Sequence, residues 1–485
     1  MSVFNLLFQN QTFKQTVFKN TFWLFIGQVL GRVLRATLII YAARVLGAAQ
    51  WGVFSYAIGV VAFLTIFTDL GINALLTKNT SRLQSSEEEK VRRQIISTSF
   101  FIKLIFIGVS LLILFIFAPW FSKIKEALPL FPIMALVLIF DNLREFGFSI
   151  TRALEKMEVE AFFFILTNIL IVLFGFIFLG VNNTPLYLAY GYALGTGIGM
   201  AATYIFLRKY FYHLWDNFSK ELIKPILTSA WPFAMIGIMG GLMINTDIIL
   251  LGWFRNAEEL GFYAAAQKPV QALYVLPTLL ATSLFPALAR LAHQENKKAA
   301  EIIENAGRFL LLLAIPIVIV GIFLGADIIK LVFGGNYLPA TLSWQILIAT
   351  LLIIFPSMIV GNAIFAYDQQ KLFIGVLFIG ALSNIILDLS LIPRWGGPGS
   401  AVATLIAQFL CNLFLWLKLK KINPLIKNPD LKILSTASAL MVISLLTMKF
   451  LDINFIVNAV ISGLIYLGLL YALQEPLVRI FNSHN

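Results

Sequence analysis

Charge is what this chain has least of. Of its 485 residues 12% are charged and 59% apolar, and the mean hydropathy is +0.88. Soluble domains carry about 25% charged residues. A chain this poor in charge cannot cover a water-facing surface, which excludes a soluble globular protein and makes lipid the expected solvent. Cys411 is the only cysteine, which excludes a disulfide scaffold. The three histidines, His213, His293 and His484, fall in polar stretches, so no histidine-based metal or proton chemistry is expected, and no metal or cofactor. A Gly-rich phosphate loop followed by Lys-Ser/Thr is missing, which excludes an ATP site in this chain. The first twenty residues lack a cleavage site of small residues, so no signal peptide is expected. Leu6, Leu7, Phe13, Val17 and Phe18 instead pattern residues 1–20 as an amphipathic segment lying on the membrane face.

What is there is a series of long apolar runs. A helix needs about 20 residues to cross the hydrocarbon. Runs of that order occur at 21–43, 52–77, 96–118, 129–150, 161–181, 185–207, 228–252, 259–289, 306–325, 340–366, 372–392, 398–417, 431–449 and 455–474. The expected fold is therefore all-α, a polytopic membrane protein of about fourteen transmembrane helices. Pro277, Pro286 and Pro356 predict kinks in two of the longer runs. With both termini cytoplasmic, the inner segments hold 24 of the 36 basic residues and the outer ones 7, and 5 lie inside spans. That bias supports the orientation. It also accounts for most of the net charge of +12 without a nucleic-acid partner. The acidic run Glu87–Glu89 beside Lys90, Arg92 and Arg93 reads as a solvated helix face.

An internal repeat sets the domain organisation. Gly52-Val-Phe-Ser-Tyr-Ala57 and Gly261-Phe-Tyr-Ala-Ala-Ala266 each follow a Leu-Gly, at an offset of 209 (261−52). Asn168 and Asn384 recur at a similar offset, 216 (384−168). Both Gly-aromatic motifs follow outward-running spans, so the repeat is parallel, with a pseudo-two-fold along the membrane normal. Two six-helix lobes follow, 21–208 and 225–422, with two appended helices at 431–474.

Ionisable groups within spans are costly and mark candidate sites. Gln28, Arg32 and Arg35, spaced i, i+4, i+7, share one face of the first span. Guanidinium forks match phosphate oxygens, so this face is a candidate anion site; the alternative is an internal ion pair between Arg32 and Asp69, which lie at similar depth. Asp141, Arg144 and Glu145 are spaced for pairing within one helix, as a structural or gating group. Asn245 and Asp247 in the seventh span, with Gln267 and Lys268 in the eighth, form the second polar cluster. Asp388 lies near the outer end of its span.

Three stretches then resemble a known family. Ala43-Arg44-Val45-Leu46-Gly47, followed after four residues by Gly52-Val53-Phe54-Ser55 and later by Asp69-Leu70-Gly71-Ile72, is similar to the opening of the polysaccharide-type flippases. These are the O-antigen and oligosaccharide repeat-unit exporters of the multidrug/oligosaccharidyl-lipid/polysaccharide superfamily. Phe285-Pro286-Ala287-Leu288 and the segment Ile392-Pro393 to Gly396-Gly397, Gly399-Ser400-Ala401 also resemble that family. The resemblance implies a two-lobed alternating-access transporter that moves polyprenyl-pyrophosphate-linked sugars from the inner to the outer leaflet for polysaccharide biosynthesis. On that reading Arg32 and Arg35, with Gln28, Lys268 and Asn245, contact the substrate. Asp69, Asp141, Arg144 and Asp247 serve coupling or gating, with H+ or Na+ as the coupling ion and a polysaccharide polymerase as a partner. The expected location is the inner (cytoplasmic) membrane. The runner-up is a cation-coupled multidrug exporter of the same superfamily, against which the two arginines argue. A membrane-embedded glycosyltransferase or ligase is the third reading; such enzymes carry long outer loops with catalytic acids, and the outer connections here are short.

Overall fold

The computed structural model describes residues 13–81, 83, 88–427 and 431–477. Residues 1–12 of the expected amphipathic segment, and Glu87 of the acidic run, lie outside them; Glu89 pairs with Arg93 at 2.6 Å on an exposed face. Among the described residues the structure is helical and contains no strand. The long helices are α1 (Phe13–Asp69), α2 (Ile72–Thr80), α3 (Glu89–Phe121), α4 (Phe131–Ala153), α5 (Met157–Val181), α6 (Pro185–Phe206), α7 (Ile223–Phe254), α8 (Ala257–Leu273), α9 (Val275–Leu291), α10 (Asn296–Phe323), α11 (Gly325–Phe333), α12 (Thr341–Ala349), α13 (Leu351–Ala366), α14 (Gln370–Ile422), α15 (Lys432–Phe450) and α16 (Phe455–Ala472). Among the described residues, 11 helical stretches are long and apolar enough to cross a membrane.

Helix ends follow local chemistry. Pro185 opens α6 behind Thr184, whose side chain accepts from the Tyr187 amide; Asn454 caps α16 in the same way. The run expected at 259–289 breaks at Tyr274. Pro277 has no N–H to offer the carbonyl four residues earlier, at Leu273, which is where α8 ends. The run at 340–366 breaks at Thr350, whose hydroxyl takes the Leu347 carbonyl at 2.6 Å. Pro286 and Pro356 sit inside α9 and α13.

The chain divides into two compact units, Met1–Gly261 and Phe262–Asn485. In the first, α1 contains a non-helical residue, Gly47, at φ 73°. Neighbouring contacts show what happens there. Gly27 lies against Ala161, Gly31 against Phe164 and Asn168, and Gly175 against Leu38, so the first limb of α1 runs parallel to α5. Gly191, Gly195 and Gly199 of α6 meet Gly175, Ile171 and Thr167, so α6 is antiparallel to α5. Gly147 meets Thr203 and Gly197 meets Phe140, so α4 runs with α6. Thr68 bonds Asn142 and Thr77 bonds the Ser149 carbonyl, so the stretch 68–77 runs with α4. The two limbs of α1 therefore run in opposite directions. Gly47 is a hairpin in the left-handed region, where a Cβ is strained. The second limb is antiparallel to α7: Tyr56 meets Gly252, Gly59 meets Ile248, and Ile66 meets Gly241.

The two repeat motifs touch. A Cβ on Gly52 would lie 1.7 Å from the Ala257 carbonyl oxygen, and one on Gly261 would lie 1.9 Å from that of Ala48. The offset of 209 that relates Gly52 to Gly261 also relates Ala48 to Ala257 (257−48). Each motif's glycine thus sits on the other's alanine, the reciprocal pattern of an isologous contact.

In the second unit α14 also reverses, at Gly396 (φ 59°). Cys411 contacts the Val376 carbonyl and Gly399 packs on Leu391, so its limbs are antiparallel. The α15–α16 hairpin buries Ala437, Met441, Tyr466 and Leu470 against Leu312, Ile315 and Ile319 of α10. Glu475, fully buried just after α16, receives both Nε and Nη2 of Arg308. The hairpin is thus fixed to α10 by an apolar core and a bidentate ion pair.

Candidate functional site

The first limb of α1 carries the basic face read from the sequence. Arg35 donates through Nε to Asn168 Oδ1 at 3.1 Å, and Asn168 Nδ2 donates to the Phe164 carbonyl at 2.7 Å, which fixes the amide's orientation. Gly31 makes this geometry possible, since a Cβ there would lie 2.4 Å from the Phe164 ring and 2.9 Å from Asn168 Nδ2. Arg32 is exposed on the protein surface and Gln28 is half-buried. Arg32 and Arg35 are three residues apart on one helix, so their like charges are neighbours. Among the described residues neither guanidinium forms a salt bridge.

Asp69 is not the partner of Arg32. Its Oδ1 accepts from Lys103 Nζ at 2.9 Å and from the Asn73 amide at 3.3 Å. Lys103 is fully buried, and Asp69 keeps a third of its side chain exposed. Lys103 is one of the 5 basic residues counted inside spans. Burial of an ammonium on α3 demands a partner, and Asp69 is the carboxylate that α1 supplies. The pair stands beside the break between α1 and α2, where Leu70 and Gly71 take φ of 39° and 79°.

On α4 the expected pairing within the helix is present. Arg144 Nη2 lies 2.9 Å from Asp141 and 4.0 Å from Glu145. The network extends further than the sequence suggested. Arg152 contacts Glu145 at 3.4 Å and Glu160 of α5 at 2.5 Å. Buried Lys19 reaches Glu158 at 3.1 Å and the Glu155 carbonyl at 3.4 Å. The signal for these additions was Glu158 and Glu160 in the first turn of α5, where the helix dipole favours acids.

The second predicted cluster is distributed between the units. In the first, Asn245 Nδ2 donates to the Gly241 carbonyl at 3.0 Å, and Asp247 is buried. In the second, Gln267 is buried and Lys268 half-buried. Asp388, expected near water, is fully buried.

A family model described as "Polysaccharide biosynthesis protein" matches residues 17–292, from the start of α1 through α9. The chain belongs to the polysaccharide biosynthesis protein family. That matched region contains each of the nine residues assigned above to substrate contact, coupling or gating. Among relatives of this polysaccharide biosynthesis protein, the probable low-salt glycan biosynthesis flippase Agl15 of Haloferax volcanii is 23% identical over 397 residues, covering 79% of each chain. A putative O-antigen transporter of Shigella flexneri is 23% identical over 415 residues, 83% of this chain and 97% of its own. Among solved structures, the lipid II flippase MurJ in an inward closed conformation superposes with a TM-score of 0.78 at 20% identity, covering 94% of this chain and 99% of that one. The fold is therefore that of this transporter group. The family resemblance carried by Gly47, Gly52, Gly71 and Gly396 is borne out, and those glycines stand at the hairpins, the break and the close crossing just described.

Proposed function

We propose that this chain is a flippase that carries a polyprenyl-pyrophosphate-linked oligosaccharide from the cytoplasmic to the outer leaflet. The observation that carries the reading is the basic face of α1: among the described residues exposed Arg32 forms no salt bridge, and Arg35 is held by a neutral amide. Two guanidiniums left unneutralised in an apolar span suit an anionic ligand such as pyrophosphate. They do not suit cationic drugs, which places the multidrug-exporter reading second. The chemistry is transport rather than catalysis.

The topology we favour has fourteen crossings with both termini cytoplasmic, in the inner membrane. It is supported by counting the limbs of α1 and α14 separately and adding Pro185–Phe206. The reciprocal Gly52–Ala257 and Gly261–Ala48 contacts support a parallel pseudo-two-fold between lobes. Coupling to H+ or Na+ would act on Asp69 and Asp141, whose pairing with Lys103 and Arg144 changes during the cycle, and on buried Asp247. Gln28, Asn245 and Lys268 would add contacts to the sugar phosphate, and a polymerase would receive the product.

The test is an Arg32 series measured for membrane protein level beside glycan export. Arg32→Lys keeps charge but loses the fork and should weaken export; Arg32→Ala should abolish it. Because Asp69 is held by Lys103, Arg32→Ala strands no carboxylate, and protein level should stay at wild type. Full export by Arg32→Ala at normal level would remove Arg32 from the substrate site.

A further inference from the structure

The second unit holds a cavity of about 570 Å³ between α10, α13 and the second limb of α14. That is the size range of small-molecule sites. Its walls change character along the helices. Glu304, Arg308, Asn412, Trp416 and Lys427 line one end, and Leu311, Leu352, Ile353 and Phe409 line the other. The start of α10 lies against the segment after α14: the Lys427 amide donates to Glu304 at 2.6 Å, and Asn423 donates to the Asn296 carbonyl at 2.9 Å. The polar end therefore faces the membrane surface and the apolar end its interior. Leu352, Phe409 and Leu413 are 37%, 51% and 41% exposed, so the cavity opens sideways on an apolar surface.

The segment that runs past the polar end of the cavity is rich in lysine. Residues 418–432 hold Lys418, Lys420, Lys421, Lys427 and Lys432 against Asp430 alone. Lys420 Nζ lies 5.7 Å from the Trp416 ring, so an ammonium group and an aromatic ring meet at that end. Arg308 is neutralised by Glu475, and Glu304 is held at the Lys427 amide.

We infer that this cavity is a binding site for an anionic phospholipid. One acyl chain lies along Leu311, Leu352 and Phe409, and the headgroup phosphate sits at Lys427 and Lys420 beside Trp416. A soluble anion would have no use for the apolar end, and a zwitterionic lipid no use for the lysines. Basic pockets between transmembrane helices recognise anionic headgroups by this combination. The site is independent of the proposed transport, and its test measures binding alone.

Full-length protein would be reconstituted in phosphatidylcholine vesicles with increasing phosphatidylglycerol whose acyl chains are brominated. The readout is quenching of Trp416, isolated by subtracting the Trp416→Phe signal. The expected result is quenching by brominated phosphatidylglycerol at a mole fraction at least about tenfold below that of brominated phosphatidylcholine. Lys427→Glu should lower this preference by about fivefold or more. Gly307→Leu should abolish quenching by filling the cavity: a Cβ at Gly307 has only Ile359 near, at 3.9 Å, so the larger side chain extends into the space. If Gly307→Leu unfolds, Lys427→Glu decides, since its side chain is exposed. Equal quenching by the two lipids, or a preference unchanged in Lys427→Glu, overturns the site. So does displacement of phosphatidylglycerol by a smaller mole fraction of polyprenyl phosphate, which would assign the cavity to an isoprenoid chain.

Discussion

Removing Lys103 or Asp69 tests the most consequential contact in the first unit. Lys103 is fully buried and Asp69 one-third exposed, with 2.9 Å between them. Breaking a buried pair by deleting one partner costs about 3–5 kcal/mol, because the other charge is left in low dielectric. The two deletions are not equivalent. Lys103→Met leaves a carboxylate that water partly reaches, which reduces the cost to roughly 2–3 kcal/mol. Asp69→Asn leaves an ammonium with no exposure and should sit near the top of the range, about 5 kcal/mol. It also weakens the acceptor of the Asn73 amide at the break between α1 and α2. The double change Lys103→Met with Asp69→Asn removes both charges and should recover most of the loss. The assay is membrane protein level together with the apparent unfolding midpoint in detergent. Asp69→Asn should fall further than Lys103→Met, and the double variant should lie above both. A double variant no better than Asp69→Asn alone would show that the charges are not compensating each other, and the partner assignment would be wrong.

Three further outcomes follow from other contacts. Gly52→Ala and Gly261→Ala drive a Cβ into carbonyl oxygens at 1.7 and 1.9 Å. Each should lose at least the roughly 3 kcal/mol at the upper end of overpacking costs, while Gly108→Ala, with nothing within 4 Å, should leave the unfolding midpoint unchanged or higher. Glu475→Gln should loosen the α15–α16 hairpin from α10, read as faster limited proteolysis after Phe323, and Arg308→Met in the same chain should slow it again. In a Cys411→Ala background, single cysteines at Lys123 and Arg394 should label with an impermeant reagent in intact cells, and those at Lys90 and Lys297 should label only after lysis; all four positions are exposed. Labelling of the latter two in intact cells would reverse the orientation.

The helices were legible because each is a long apolar run with polar ends, and lipid-embedded backbone must satisfy itself within a helix. The two Gly-aromatic motifs were legible, and their glycines mark the sites where packing leaves no room for a side chain. The pairing of charges was less legible. Depth along a span can be counted from its end, which is what set Arg32 beside Asp69 as a possible pair. Which way each side chain points depends on helix rotation and on neighbours that are distant in sequence. Lys103 therefore took Asp69, and Arg35 found Asn168, 133 residues away. Glu160 was hidden because Arg152 is one of the inner-segment basic residues whose count sets the topology. In the structure it is a ligand for two carboxylates across the α4–α5 turn.

The central claim is that the exposed guanidinium of Arg32 moves a lipid-linked oligosaccharide across the bilayer. The most direct measurement is flipping in proteoliposomes made with purified protein and a polyprenyl-pyrophosphate oligosaccharide, followed by access of an impermeant lectin or glycosidase to the glycan. Wild-type protein should expose the glycan on the far leaflet, and Arg32→Ala, folded and present at equal level, should not. Equal flipping by both proteins, or none by the wild type under any ion gradient, would contradict the account.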